Sequence, residues 1–218
     1  MKIFFKKNNK SFKNSKKGFT LVELLITISI FVILTGVVLF NQKSFDSTIL
    51  IKNLAYDIAL TIRQAQTYGV NVKESQVEGK FSSYGVYFDL NADGGNQKFV
   101  FFSDNGADVA DGKQTGAPDM KFNGSMDCPS DDVECVQKYS IKKNFYISNI
   151  CARAGSGDCD TADQLTLYFQ RPNPDAYIFL DNNTSSPKNY AEVTISSTDG
   201  AASSTVVVTS VGQIYVKR

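Results

Sequence analysis

Glu23 is the only ionisable side chain in a 22-residue apolar run, residues 19–40. A charge held in hydrocarbon costs about 3 kcal/mol at mid-span, so an intramembrane carboxylate is a functional candidate with a cationic partner to find. Its competing reading is snorkelling, because one helical turn puts it only about 6 Å below residue 19. Just ahead stands Gly18, whose lack of a Cβ lets an extended backbone lie flat against another protein. Four cysteines fall in two close pairs, Cys128/Cys135 and Cys151/Cys159, within Asp-, Gly-, Ser- and Pro-rich sequence. An even number at short spacing reads as disulfides formed in an oxidising compartment. A four-cysteine zinc site is the competing reading, although such pairs usually enclose two to four residues, and here six and seven intervene. Asp89, Asn91 and Asp93, followed by Gly94, open like a calcium loop. The twelfth position of that template is Val100, and Asp104, Asp108 and Asp111 in the next loop are the further oxygens on offer. A solvated hairpin turn uses the same residue types.

Histidine is absent. That removes serine and cysteine triads and histidine-ligated zinc, and no paired-carboxylate or Ser-Lys constellation stands out in their place. The expectation is a protein that is not an enzyme and needs no cofactor beyond the calcium just considered. Charge is unevenly placed, with seven Lys and no acid in the first 18 residues, so that losing them takes the net charge from +1 to −6. Beyond residue 40 there are 16 Lys and Arg against 21 Asp and Glu, without basic residues interleaved with aromatics. Nucleic acid is therefore not an expected partner.

These residues need elements to place them. As a helix, residues 19–40 extend about 33 Å against a hydrocarbon core of about 30 Å, enough to cross a bilayer. The lysine-rich flank stays cytoplasmic, so all that follows faces outward. Residues 41–69 continue the helix as an amphipathic stripe, with Ile51, Leu54, Ala55, Ile58, Ala59, Ile62 and Ala65 at three- and four-residue spacing and Gly69 as its stop. Residues 70–218 read as short strands between turns, at 84–90, 98–103, 139–147, 164–170, 176–180, 191–197, 204–209 and 213–217. The expected fold is α+β, a long amino-terminal helix packed on an antiparallel sheet, with a terminal hairpin turning through Gly212.

The octet Lys16-Lys17-Gly18-Phe19-Thr20-Leu21-Val22-Glu23 resembles the recognition site of type IV prepilins and type II secretion pseudopilins. There a basic leader, here residues 1–18, ends in Gly before the cut, and the mature chain begins with Phe and carries Glu five residues in. Over the globular part the order of elements is similar to H-type minor pseudopilins and related minor pilins, and Phe40 stands where major pilins usually carry Pro. The resemblance implies a pilin-like domain, cleavage between Gly18 and Phe19 by a prepilin peptidase that also N-methylates Phe19, and attraction of Glu23 to the free ammonium of Phe19 on a neighbouring subunit. It implies as partners other pilin or pseudopilin subunits, an inner-membrane assembly platform and, before assembly, the lipid bilayer. The location is a single-pass cell membrane and then an extracellular or periplasmic filament. A signal-anchored extracytoplasmic enzyme and a binding or adhesion module are the alternatives.

Overall fold

The computed structural model describes residues 18–71, 82–106, 118–142 and 144–217, with the side chains of 40–46 left aside. The basic leader at 1–17 and the acidic positions Asp108 and Asp111 lie outside the described residues. The chain divides into two compact units, Met1–Lys43 and Ser44–Arg218. Helix α1, Leu21–Val70, contributes to both.

In the first unit, α1 opens on a capping box. The Thr20 hydroxyl accepts from the Glu23 backbone N–H at 3.2 Å, and Glu23 Oε2 accepts from the Thr20 N–H at 3.0 Å and from its hydroxyl at 2.9 Å. Leu21–Leu39 has a mean hydropathy of 2.6 and is long and apolar enough to cross a membrane. Its side chains are exposed on every face, with Gly36 alone intermediate. The hydroxyls of Thr27, Ser29 and Thr35 donate to the carbonyls of Leu24, Leu25 and Phe31 at 2.8–2.9 Å. These three hydroxyls are thus satisfied within the helix, as hydrocarbon requires.

The second unit is built on the other half of α1 and two antiparallel sheets. Ile51, Ala55, Ile58, Ile62 and Ala65 are at most 1 % exposed and share one helical face. Sheet I consists of β1 (Ser83–Asp89), β2 (Lys98–Asp104), β3 (Cys135–Ser140), β6 (Gln164–Phe169) and β7 (Ala176–Leu180), in the order β3-β2-β1-β6-β7. Sheet II consists of β4 (Phe145–Arg153), β5 (Asp160–Thr161), β8 (Tyr190–Ser197), β9 (Ser203–Thr209) and β10 (Ile214–Lys217), in the order β10-β9-β8-β4-β5. A single 3-10 turn, Gly95–Gln97, leads into β2. One core joins the helix to both sheets, through Val86, Phe88, Phe101, Leu167 and Phe169 on sheet I and Ile150, Val193, Ile195, Val206 and Val208 on sheet II.

The α+β expectation holds, and two parts of it change. One sheet becomes two, and the single strand expected at 139–147 is β3 and β4, which belong to different sheets. The turn Lys142–Phe145, closed by the Phe145 N–H to the Lys142 carbonyl at 2.9 Å, lets the chain leave sheet I for sheet II. Alternation along a strand continues across such a corner, so the pattern alone does not reveal it. Gly69 is not the helix stop, since α1 runs on to Val70. A Cβ there would lie 2.4 Å from the Phe169 carbonyl oxygen, so this glycine serves close contact between helix and β6.

Sheet I is covered on its outer face too. Tyr87, Val100, Phe102, Tyr168 and Phe179 form a second cluster with Phe122 and Met126 from the 118–134 segment. Carboxylates template that segment: Asp132 accepts from the N–H groups of Ser125, Glu134 and Cys135, Glu134 from Asn123, and Asp104 from Gly106 and Met120. Asp104 is 0 % exposed. Burial raises its pKa above the ordinary aspartate value, against the opposing pull of the Met120 and Gly106 N–H bonds, and the Asp119 charge adds to the rise. A carboxyl whose folded pKa is raised holds its proton more tightly folded than unfolded, so its contribution to stability falls as pH rises from the ordinary aspartate value through the folded one. Thermal melts of the wild type and Asp104→Asn should therefore show the wild type relatively more stable at pH 4 than at pH 7. A relative gain toward pH 7 would refute the assignment.

Candidate functional site

The Gly18–Phe19 junction lies outside the helix, three residues ahead of Leu21 in the case of Gly18. Among the described residues nothing comes within 4 Å of where a Gly18 Cβ would be, and Phe19 is 79 % exposed. The peptide bond is open to a protease, and no contact in the described chain demands a glycine there. The demand lies with whatever binds the junction.

Thr20 belongs to this site as well, and its T-x-x-E spacing to Glu23 is a legible signature for a helix start. Its effect on Glu23 is specific. Both Thr20 donors go to Oε2, which leaves Oε1 without a bond among the described residues. The carboxylate is thus held at the head of the apolar helix with one oxygen open.

The four cysteines form two disulfides, Cys128–Cys135 and Cys151–Cys159, with Cα separations of 5.5 and 5.6 Å. The zinc alternative falls, because no thiol is free. The first bridge ties the 118–134 covering segment to β3, and the second closes the connection between β4 and β5. Both lie in the second unit, at a distance in sequence from the Gly18–Glu23 site.

Asp89, Asn91 and Asp93 sit in the hydrogen-bonded turn that follows β1. Asp89 Oδ1 accepts from the backbone N–H groups of Asn91 and Ala92 at 2.9 and 3.2 Å, and Oδ2 from the Tyr87 hydroxyl and Gln164 Nε2 at 3.2 and 2.9 Å. Asn91 turns instead to Asp163, 3.0 Å from Nδ2 to Oδ2, and Asp93 is exposed. Among the described residues no group of three or more His, Cys, Asp or Glu side chains is placed to hold a metal. The arrangement is a side-chain-braced turn.

Polar side chains on the inner half of α1 make a further contact that the heptad-like pattern conceals. Gln66 Nε2 donates to the carbonyls of Pro174 and Gly212 at 2.8 and 2.9 Å, and Arg63 Nη2 to that of Ile214 at 2.9 Å. Gly212, at φ 79°, turns the β9–β10 hairpin so tightly that an added Cβ would meet both the Pro174 oxygen and Gln66. These bonds fix the carboxy-terminal hairpin on the helix.

Comparison of the chain with curated proteins and with solved structures returned no match. A family model described as the prokaryotic N-terminal methylation motif matches residues 13–39. Those residues contain the open Gly18–Phe19 junction, the Thr20–Glu23 cap and the exposed apolar helix, and what the chain carries there is a prokaryotic N-terminal methylation motif of the type IV pilin-like kind.

Proposed function

We propose that the chain is a structural subunit, a minor pilin or pseudopilin of a type IV pilus or type II secretion-like filament, similar to the H-type minor subunits. The observation that carries this reading is an apolar helix exposed on all sides and headed by a capped carboxylate immediately behind an open Gly–Phe junction. A helix of that composition needs lipid or other helices around it. In the membrane the leader faces the cytoplasm and the disulfide-bonded unit faces outward. A prepilin peptidase cleaves after Gly18 and methylates the new amino group of Phe19. The subunit then leaves lipid for a bundle of like helices on an assembly platform, and Glu23 pairs with the Phe19 ammonium of a neighbour, which fixes the axial register. In a low-dielectric bundle that pair is strongly favoured over two separate charges. The protein performs no chemical step of its own and requires no metal.

Mass spectrometry of the amino terminus of chain isolated from its source tests the reading. An N-methylated Phe19 is expected. A chain still beginning at Met1 would refute processing, and with it the filament role in favour of a plain membrane anchor.

A further inference from the structure

The two sheets differ in what covers their outer faces. Sheet I is roofed by the 118–134 segment, whereas sheet II has no such roof among the described residues. On β8 the outward Tyr190, Glu192, Thr194 and Ser196 are all partly exposed and alternate with buried Ala191, Val193, Ile195 and Ser197.

This open face is organised. Arg153 lies across from Tyr190 in register, and Glu192 and Tyr215 flank Val207 from either side. The Arg153 guanidinium carbon stands 4.2 Å from the Tyr190 ring centroid. The Tyr190 hydroxyl donates to Glu192 Oε1, which also takes Lys217 Nζ at 3.2 Å. Val207 is fully buried although it points outward, so these side chains close over it. In the next row the Thr194 and Thr205 hydroxyls are paired at 3.1 Å.

Some of the bonding capacity of the face is unused. Arg153 Nε is buried with no acceptor among the described residues. The close ion pairs among the described residues all involve lysines, and Glu192 acts on Arg153 only at longer range. Tyr215 presents a ring that is 46 % exposed. Two cations thus share one carboxylate on a chain that is otherwise acidic beyond residue 40. A guanidinium stacked on tyrosine is held in one orientation and offers its planar fork to a carboxylate. The exposed Tyr215 ring, on β10 two strands from Tyr190, suits the C–H face of a pyranose, and flanking Glu and Thr oxygens suit its hydroxyls. A sheet face open to solvent fits an extended chain better than an enclosed small molecule.

We propose that the outer face of sheet II binds a carboxylate-bearing saccharide chain, with the carboxylate between Arg153 and Lys217 and a sugar ring laid on Tyr215. The proposal does not depend on the filament reading, since it concerns the second unit alone.

Affinity electrophoresis of the full chain in detergent, through gels containing polygalacturonate, dextran or polydeoxythymidine, tests it. Retardation by polygalacturonate is expected, weakened about tenfold in both Arg153→Gln and Tyr215→Ala, a loss of about 1.4 kcal/mol. Lys52→Gln, an exposed cation on the helix, should leave it unchanged. Tyr215→Ala removes an exposed ring and keeps the test meaningful if the arginine variant misfolds. The proposal is overturned by no retardation, by equal retardation in dextran or polydeoxythymidine, or by wild-type retardation of the tyrosine variant.

Discussion

Glu23→Gln should leave cleavage and methylation intact and abolish assembly. The substitution separates two roles that the geometry superimposes on one side chain. Glutamine keeps an oxygen for the Thr20 N–H and hydroxyl, and therefore keeps the capping box that starts α1. It removes the charge. If the Glu23 carboxylate pairs with a neighbouring ammonium in a helix bundle, leaving that ammonium alone costs about 3–5 kcal/mol at each contact. That is roughly a hundredfold or more in each subunit addition, enough to leave processed chain in the membrane fraction and none in sheared filaments. Immunoblots of the two fractions, with the mass of the amino terminus, read both outcomes at once. Should Glu23→Gln assemble normally while Glu23→Ala does not, the side chain matters as a helix cap and the charge pairing is wrong.

Gly69→Ala should destabilise the second unit by about 2–3 kcal/mol, with the sign opposite to helix propensity. Inside a helix, alanine is favoured over glycine by about 1 kcal/mol. At this position the added carbon would lie 2.4 Å from the Phe169 carbonyl oxygen and 2.9 Å from the Phe169 Cβ. Backbone cannot swing aside as a flexible side chain can, and Phe169 is itself fully buried, so either α1 or β6 has to shift within a close-packed core. For a unit of this size the loss is a fall in melting temperature of roughly 4–12 °C. Near-ultraviolet circular dichroism of the detergent-solubilised chain follows it through the tyrosines. An unchanged or raised melting temperature would mean that helix and strand are not in contact there.

Much of this protein is local, and the sequence by itself determined that much. The apolar run, the glutamate within it, the glycine ahead of it and the lysine-rich leader are one contiguous stretch, and the bilayer, acting as a uniform solvent, imposes its demands on such a stretch residue by residue. The stripe Ile51–Ala55–Ile58–Ile62–Ala65 is equally local, because helical periodicity alone brings those side chains to one face, and all five are buried. Most strands were readable for the same reason, and β7 matches its expected bounds, Ala176–Leu180. The count and spacing of the four cysteines also read as disulfides, while the pairing itself, at sequence separations of 7 and 8, came from the structure.

What only the tertiary structure decided are relations between distant residues. The division into two sheets turns on the corner at Lys142–Phe145, where the chain changes partner without changing its alternation. Gly69 reads as a terminator until Phe169, a hundred residues on, is seen against it. The bonds that Tyr87, Gln164 and the Asn91 and Ala92 amides donate to the Asp89 oxygens are likewise visible only in the fold. The stacked Arg153 and Tyr190, like the row from Glu192 to Tyr215, exist only through strand register. A one-dimensional pattern records what each residue prefers to have around it, whereas the identity of its neighbours is fixed by how the chain closes on itself.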